Sequence, residues 1–273
     1  MTASTWAAVL GSPIVHSLSP ALHRAAYLTL GLDWRYEAFD VPKQEFSATL
    51  ARLCADPGLR GLSVTMPLKE LALAAANDAT AIALKTRAAN TMIVGHGRLH
   101  ADNTDPAGII WALERAGLKR PVQQAGIVGA GATARSTVAA LAQLGTRSIQ
   151  VVARRPEAIA DLALVAASFG VEVVPHSWED PAEVLAAPVV VSTVPATVAD
   201  VLSDVVSGTP GFLLDVVYVP WPTRLAQAWA DHGGAVASGL EMLVGQAGRQ
   251  VELMTGCAAP MEEMLAAGLA AQR

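Results

Sequence analysis

The chain has 273 residues, of which 52% are hydrophobic and 16% charged, with a net charge of −5. That length holds one large or two ordinary domains with full cores. The acidic balance and the lack of any long basic run argue against nucleic acid as a partner. No uninterrupted apolar run of about 18 residues marks a membrane span, and "MTASTWAAVLGSP" lacks the charged region and cleavage site of a signal peptide. Cys54 and Cys257 lie far apart, which fits a reduced cytoplasm. The six histidines form no ligand-spaced set with cysteines or carboxylates, so no metal site is expected.

Strand and helix patterns alternate along the chain, which predicts an α/β protein with mostly parallel sheets. "TWAAVLG" reads as a first strand, and Pro20 to Gly31 as a helix ending on glycine. "WRYEAFDV" is a second strand, followed by a helix near Lys43 to Ala55, the strand "LRGLSVT" and a helix from Pro67. "AANTMIVGHGRLHADNT" reads as an antiparallel hairpin turning at "GHG", with a helix beginning near Pro106. The linker "AGLKRPVQQ" then separates two halves. "AGIVGAGATARSTVAALAQLG" is strand, tight turn and helix, and "SIQVVARRPEAIADLALVAASFG" repeats that order. "VEVVP", "PVVVSTVP" and "GFLLDVVY" follow with their helices, and from Gly239 the pattern is nearly continuous helix.

The second half carries Gly129-x-Gly131-x-x-Ala134 directly after a strand and opening a helix. In a dinucleotide fold the first glycine makes the tight turn, the second lets the backbone approach a pyrophosphate, and the small third residue allows close helix–sheet packing. The pyrophosphate then sits on the helix amino terminus. Small residues also pack ordinary α/β turns, but the strand–turn–helix context favours the cofactor. At the end of the next strand an NAD site places an acid for the ribose 2′-hydroxyl. This chain has Arg154 and Arg155 there, which suit the 2′-phosphate of NADP.

Three places in the first half share one pattern: polar residues, then proline, where a strand gives way to a helix. They are "HSLSP" (Ser17, Ser19, Pro20), "VTMP" (Thr65, Pro67) and "DNTDP" (Asn103, Asp105, Pro106). Each alone reads as a helix cap. If the sheet is parallel there, the three converge at its carboxyl edge, where α/β proteins bind ligands. Lys69 strengthens the ligand reading, because a first-turn lysine opposes the helix dipole and caps nothing.

"GSPIVHSLSPALH", "SVTMPLK", "AANT", "NTD", "GAGATAR", "DVVYVPWPT" and "GLEMLVGQA" occur in that order. Together they resemble the shikimate dehydrogenases, NADP-dependent enzymes of aromatic amino acid biosynthesis, over nearly the whole chain. The resemblance implies a substrate-binding domain of residues 1–105 plus 240–273 and a Rossmann-type, doubly wound NADP-binding domain of residues 106–239. It implies Lys69 and Asp105 as the catalytic pair. It places the substrate carboxylate on Ser17 and Ser19, and the ring hydroxyls on Thr65, Asn90 and Gln246, with Asp105 and Tyr218, the latter from D-x-x-Y-x-P, also at the substrate. Around the cofactor it places Gly129, Ala130, Gly131, Ala132, Thr133, Arg154, Arg155, Val216 and, near the nicotinamide, Gly239.

Some positions depart from the family pattern. The usual N-V-T reads Ser63-Val64-Thr65, the usual G-A-x-N-T has Arg87 two residues before Ala89, G-A-G-G-A has become Gly129-Ala130-Gly131-Ala132-Thr133, and N-R-T reads Ala153-Arg154-Arg155. None removes a group that the chemistry requires.

The implied reaction is the reversible NADPH-dependent reduction of 3-dehydroshikimate to shikimate on the way to chorismate, in the cytoplasm and with a small molecule as partner. An ammonium within about 3 Å of the forming alkoxide can hydrogen-bond it and donate the proton, which gives Lys69 its task. A quinate/shikimate dehydrogenase with broader substrate or NAD use is the near alternative. The missing acid and the serine at Ser19 speak against it. A non-catalytic sensor on the same fold should have lost Lys69 and Asp105, yet both are present. The sequence fixes no oligomeric state and leaves a homodimer open.

Overall fold

The computed structural model describes residues 4–272. The chain forms two compact units, one running to Thr104 and resuming at Gln246, the other Asp105–Gly245.

The first unit opens with β1 (Trp6–Gly11), an apolar run buried throughout, as a strand covered on both faces requires. Helix α1 (Ser19–Thr29) leads to β2 (Arg35–Asp40), and a 3-10 turn at Lys43–Glu45 leads into α2 (Phe46–Cys54) and β3 (Leu59–Val64). Both β2 and β3 pair parallel to β1. Then come α3 (Lys69–Ala75), the two-residue β4 (Asp78–Ala79), α4 (Ala81–Thr86), and the hairpin β5 (Thr91–Gly95) and β6 (Arg98–Asp102). The hairpin closes on His96 and Gly97, both at positive φ (51° and 72°), the two-residue turn whose twist matches the strands it joins.

The sheet order is β2-β1-β3-β5-β6-β4. Five of its strands run in one direction, and β5 is reversed, antiparallel to both β3 and β6, as the expected hairpin requires. Two reversals leave β6 parallel to β3, so β1, β3 and β6 all end at one edge, where β5 begins. Leu10 pairs with Val64, Ser63 with Thr91 and Thr91 with Asp102. The core beneath is Leu10, Phe46, Leu59, Leu62, Leu68 and Met92 with their neighbours.

The second unit opens with α5 (Asp105–Arg115). "AGLKRPVQQ" lies inside this unit and joins α5 to β7 (Gln124–Val128), rather than separating two domains. There follow α6 (Ala132–Gln143), β8 (Ser148–Val152), α7 (Pro156–Ser168), β9 (Glu172–His176), α8 (Ala182–Leu185) and β10 (Val189–Ser192). Next are α9 (Ala196–Ala199), continued by a 3-10 turn at Asp200–Val205, then β11 (Phe212–Asp215), α10 (Arg224–Asp231) and β12 (Ala235–Ser238). All six strands are parallel in the order β12-β11-β10-β7-β8-β9. The order reverses between β7 and β10, the switch point at which doubly wound sheets open a crevice.

Helix α11 (Gly239–Thr255) begins in the second unit, and its residues from Gln246 belong to the first. It does not run on unbroken: the chain leaves the helix at Gly256, with φ at 74°, and resumes as α12 (Met261–Ala271), which packs on α1. Among the described residues no helix is long and apolar enough to cross a membrane, and no group of three or more His, Cys, Asp or Glu side chains is placed to hold a metal ion.

Candidate active site

The carboxyl edge of the first sheet carries most of the polar residues singled out above. The loops after β1 and β3 are tied together: Thr65 N–H donates to Leu10 O at 2.9 Å, and Ser12 N–H to Met66 O at 3.0 Å. In the first loop Ser19 is buried and its N–H donates to the Ser17 hydroxyl at 3.3 Å. Leu18, not a serine, is the residue that precedes α1, and it gives that helix no side-chain cap. Leu68 likewise precedes α3 without capping it. The Ser17 hydroxyl thus satisfies the first N–H of α1, while neither residue that precedes the two helices, Leu18 or Leu68, contributes a side-chain cap.

Lys69 is the first residue of α3 and is partly buried. Its carbonyl accepts from Ala89 N–H at 2.9 Å, which ties it to the segment carrying Asn90. Asn90 is buried just before β5. Its Oδ1 accepts from Thr104 N–H and from the Thr91 hydroxyl, each at 2.8 Å, and its Nδ2 donates to Gln246 Oε1 at 2.6 Å. Ser17, Ser19, Thr65, Lys69 and Asn90 thus share one sheet edge, with Gln246 joined through Asn90.

Behind this edge lie residues that the sequence reading passed over. Gln250 donates from Nε2 to Asn90 O and Thr91 Oγ1, and accepts from Ser63, which in turn accepts from the Tyr36 hydroxyl. A sequence signal for Gln250 existed: it lies four residues after Gln246, on the same face of one helix. His23 stacks on Tyr36 at a ring separation of 4.0 Å, and its Nδ1 bonds Ser19 O at 2.9 Å. Full burial lowers its pKa from 6.5 to about 4, a fall that the Ser19 bond only partly opposes.

In the second unit, Gly129 follows β7 at the switch point. Its φ is +105°, and a Cβ there would lie 2.5 Å from Thr193 Oγ1, so only glycine makes this turn. A Cβ on Gly131 would meet nothing within 4 Å, so the backbone at the start of α6 stays open to a ligand. Ala134 is fully buried against the sheet. A cavity of about 360 Å³ is lined by Gly129, Ala130, Gly131, Arg154 and Arg155, together with Thr193. Ala132 and Thr133 form the first turn of α6 beside it. Both arginines are exposed at the mouth, and no acid stands at this strand end. An open glycine turn, a helix amino terminus and two free-facing cations suit a phosphorylated dinucleotide.

Asp105, the first residue of α5, is buried and its Oδ2 accepts from the Ser136 hydroxyl on α6 at 3.2 Å. Beyond β11 the buried Asp215 organises the loop that holds Val216 and Tyr218. It accepts from Val217 N–H at 3.2 Å and from the Thr223 hydroxyl at 2.8 Å. Burial pushes the Asp215 carboxyl above the usual carboxylate range, with those two bonds pulling against it. Burial likewise pushes the Tyr218 hydroxyl up. Gly239 meets the same loop: a Cβ there would lie 2.0 Å from Val216 O. Ser238 and Glu241 hold this start of α11 by reciprocal capping, Ser238 N–H to Glu241 Oε2 at 2.7 Å and Glu241 N–H to Ser238 Oγ at 3.3 Å.

A parallel, doubly wound unit with an open glycine turn at its switch point defines a dinucleotide-binding protein of the Rossmann type. Comparison with known proteins narrows this. A family model described as the shikimate dehydrogenase substrate binding domain matches residues 9–92, and one described as the shikimate 5′-dehydrogenase C-terminal domain matches residues 239–267. A shikimate dehydrogenase (NADP(+)) of Symbiobacterium thermophilum is 35% identical, over 96% of this chain and 93% of its own length. The crystal structure of Mycobacterium tuberculosis shikimate dehydrogenase is 41% identical with a TM-score of 0.88, covering 97% of this chain and 99% of that one. The Thermus thermophilus shikimate 5-dehydrogenase, solved in complex with NADP(H) and shikimate, is 30% identical with a TM-score of 0.84, covering 98% and 99%. The chain belongs to the shikimate dehydrogenase family.

Proposed function

We propose that this protein is an NADP-dependent shikimate dehydrogenase that reversibly reduces 3-dehydroshikimate to shikimate in the cytoplasmic route to chorismate and the aromatic amino acids. The observation that carries the reading is the shared sheet edge, on which Ser17, Ser19, Thr65, Lys69 and Asn90 lie with Gln246 hydrogen-bonded to Asn90. The first unit takes the substrate. Ser17 and Ser19 offer hydroxyls to its carboxylate near the start of α1, while Thr65, Asn90 and Gln246 hold ring hydroxyls. Lys69 gives a proton to the oxygen of the forming alkoxide and takes it back in the reverse direction.

The second unit takes NADP. Gly129 to Thr133 hold the pyrophosphate at the start of α6, Arg154 and Arg155 the 2′-phosphate, and Val216 and Gly239 the nicotinamide end. NADPH, when bound, supplies the hydride. A steady-state assay of shikimate and quinate against NADP and NAD tests this. Turnover with shikimate and NADP well above the other three pairings is expected. Preference for quinate or NAD would move the protein to the quinate/shikimate dehydrogenases, and no turnover with any pairing would sink the reading.

A further inference from the structure

We infer that Gln250 is a positioning residue for substrate binding, acting through Asn90; this rests on the function proposed above. Gln250 lies on α11 and is only 2% exposed, so no substrate reaches it. Its amide has one allowed orientation. Asn90 O, 3.1 Å away, is a carbonyl that can only accept, so the group facing it must be Nε2. The same Nε2 donates its second hydrogen to Thr91 Oγ1 at 3.0 Å. The Thr91 hydroxyl has one proton of its own, which must then point elsewhere, and Asn90 Oδ1 at 2.8 Å receives it. At the other end, Gln250 Oε1 accepts from the Ser63 hydroxyl at 2.8 Å, and Ser63 accepts from the Tyr36 hydroxyl at 2.6 Å.

Every donor in this buried chain therefore points one way, from Tyr36 through Ser63, Gln250 and Thr91 to Asn90 Oδ1. The Asn90 carbonyl oxygen is occupied from behind, by Thr91 and by Thr104 N–H, and its Nδ2 faces forward to Gln246. Asn90 Nδ2 also donates to Thr104 Oγ1 at 3.0 Å, so the whole amide is held in one orientation, and a substrate hydroxyl that takes the place of Gln246 Oε1 finds a donor there. Buried networks of this kind hold their members only while every member is satisfied. Ser63, where the family pattern has asparagine, is here spent entirely on this chain.

The test is Gln250→Met, which keeps length and apolar volume but removes both the donor and the acceptor. The expected result is a Michaelis constant for shikimate raised roughly tenfold, with turnover and the constant for NADP changed by less than about threefold. In an Asn90→Ala background the same substitution should have no further effect on shikimate affinity, because two residues acting through one group are not additive. Ser63→Ala and Tyr36→Phe, milder breaks in the same chain, should shift shikimate affinity in the same direction and stand in if Gln250→Met does not fold. A crystal structure of Gln250→Met is expected to show Asn90 turned from its present orientation. Unchanged shikimate affinity in an active enzyme, or an equal penalty with and without Asn90, would overturn the inference. So would a fall in turnover with both Michaelis constants raised alike. An inactive wild-type protein would instead overturn the functional reading, and the Asn90 orientation in the crystal would still decide this one.

Discussion

A buried imidazole and a partly buried ammonium set different tasks for single residues in the first unit. Burial disfavours the charged imidazole of His23 and lowers its folded pKa to about 4 from 6.5. Between those values the unfolded chain takes up a proton that the folded chain refuses. Stability is therefore complete above about pH 6.5 and falls as pH drops toward 4, by up to about 3 kcal/mol. His23→Phe keeps the stacking on Tyr36 and removes the titration. Its unfolding free energy in urea should depend less on pH across that window than the wild type's. Parallel pH profiles for the two proteins would show that His23 is not the group responsible. Lys69 is the opposite case, a cation at the positive end of the helix it begins. Lys69→Ala should leave the melting temperature and NADP affinity nearly unchanged while turnover falls by ~100-fold or more. Shikimate affinity should change far less, since the proton is needed where charge develops in the transition state. Normal turnover in Lys69→Ala would remove it from the catalytic assignment.

Among elements, the junction of β8 and α7 shows what a strand end can specify. Arg155 precedes α7 and Pro156 opens it, so the backbone turn is set by proline and the two arginine side chains are left exposed beside the glycine turn. Replacing Arg154 and Arg155 by neutral residues should weaken NADP by ~2–3 kcal/mol and barely alter NAD, the difference expected of a charge-assisted contact with the 2′-phosphate. Equal losses in fluorescence titrations with both cofactors would exclude that role. The elements also differ in how legible they were. Strands such as β1 and β10 are continuous apolar runs, and α6 follows a glycine turn, so pattern alone located them. The two-residue β4 and the six-residue α4 carry no period long enough to read, although Thr80 caps α4 from its side chain. Strand β12, "AVAS", is too short and too small to separate from the helix that follows it. The break between α11 and α12 was visible as Gly256 and Pro260, but the strongly helical composition on either side masked it.

At the scale of the molecule, the second unit was the more readable because a parallel sheet repeats one βα pattern, and the switch point follows from where the glycine turn falls. The first unit's strand order was less so: the hairpin was legible at "GHG", but the pairing of β5 with β3 joins strands that α3 and α4 separate in the chain. Motif recognition reached the residues proposed to hold ligands, such as Ser19, Asn90 and Arg154. It passed over Tyr36 and Gln250 and met Ser63 only as a departure from the family pattern, because the three are linked only through one another. Each unit has its own core and its own polar face, so each should answer to its own ligand. At a hundred times its dissociation constant, a ligand that binds only the folded state stabilises it by about 2.7 kcal/mol. Amides held by that stabilisation exchange more slowly with solvent. NADP should slow exchange at Gly129 to Ala134 and around Arg154 and Arg155. Shikimate alone should slow it at Ser17 to Ser19, at Thr65 to Lys69 and around Asn90. Mass-spectrometric exchange on the full chain, with each ligand added separately, reads both patterns in one experiment. If shikimate protected the glycine turn and left the edge around Asn90 unchanged, the assignment of substrate to the first unit would be wrong.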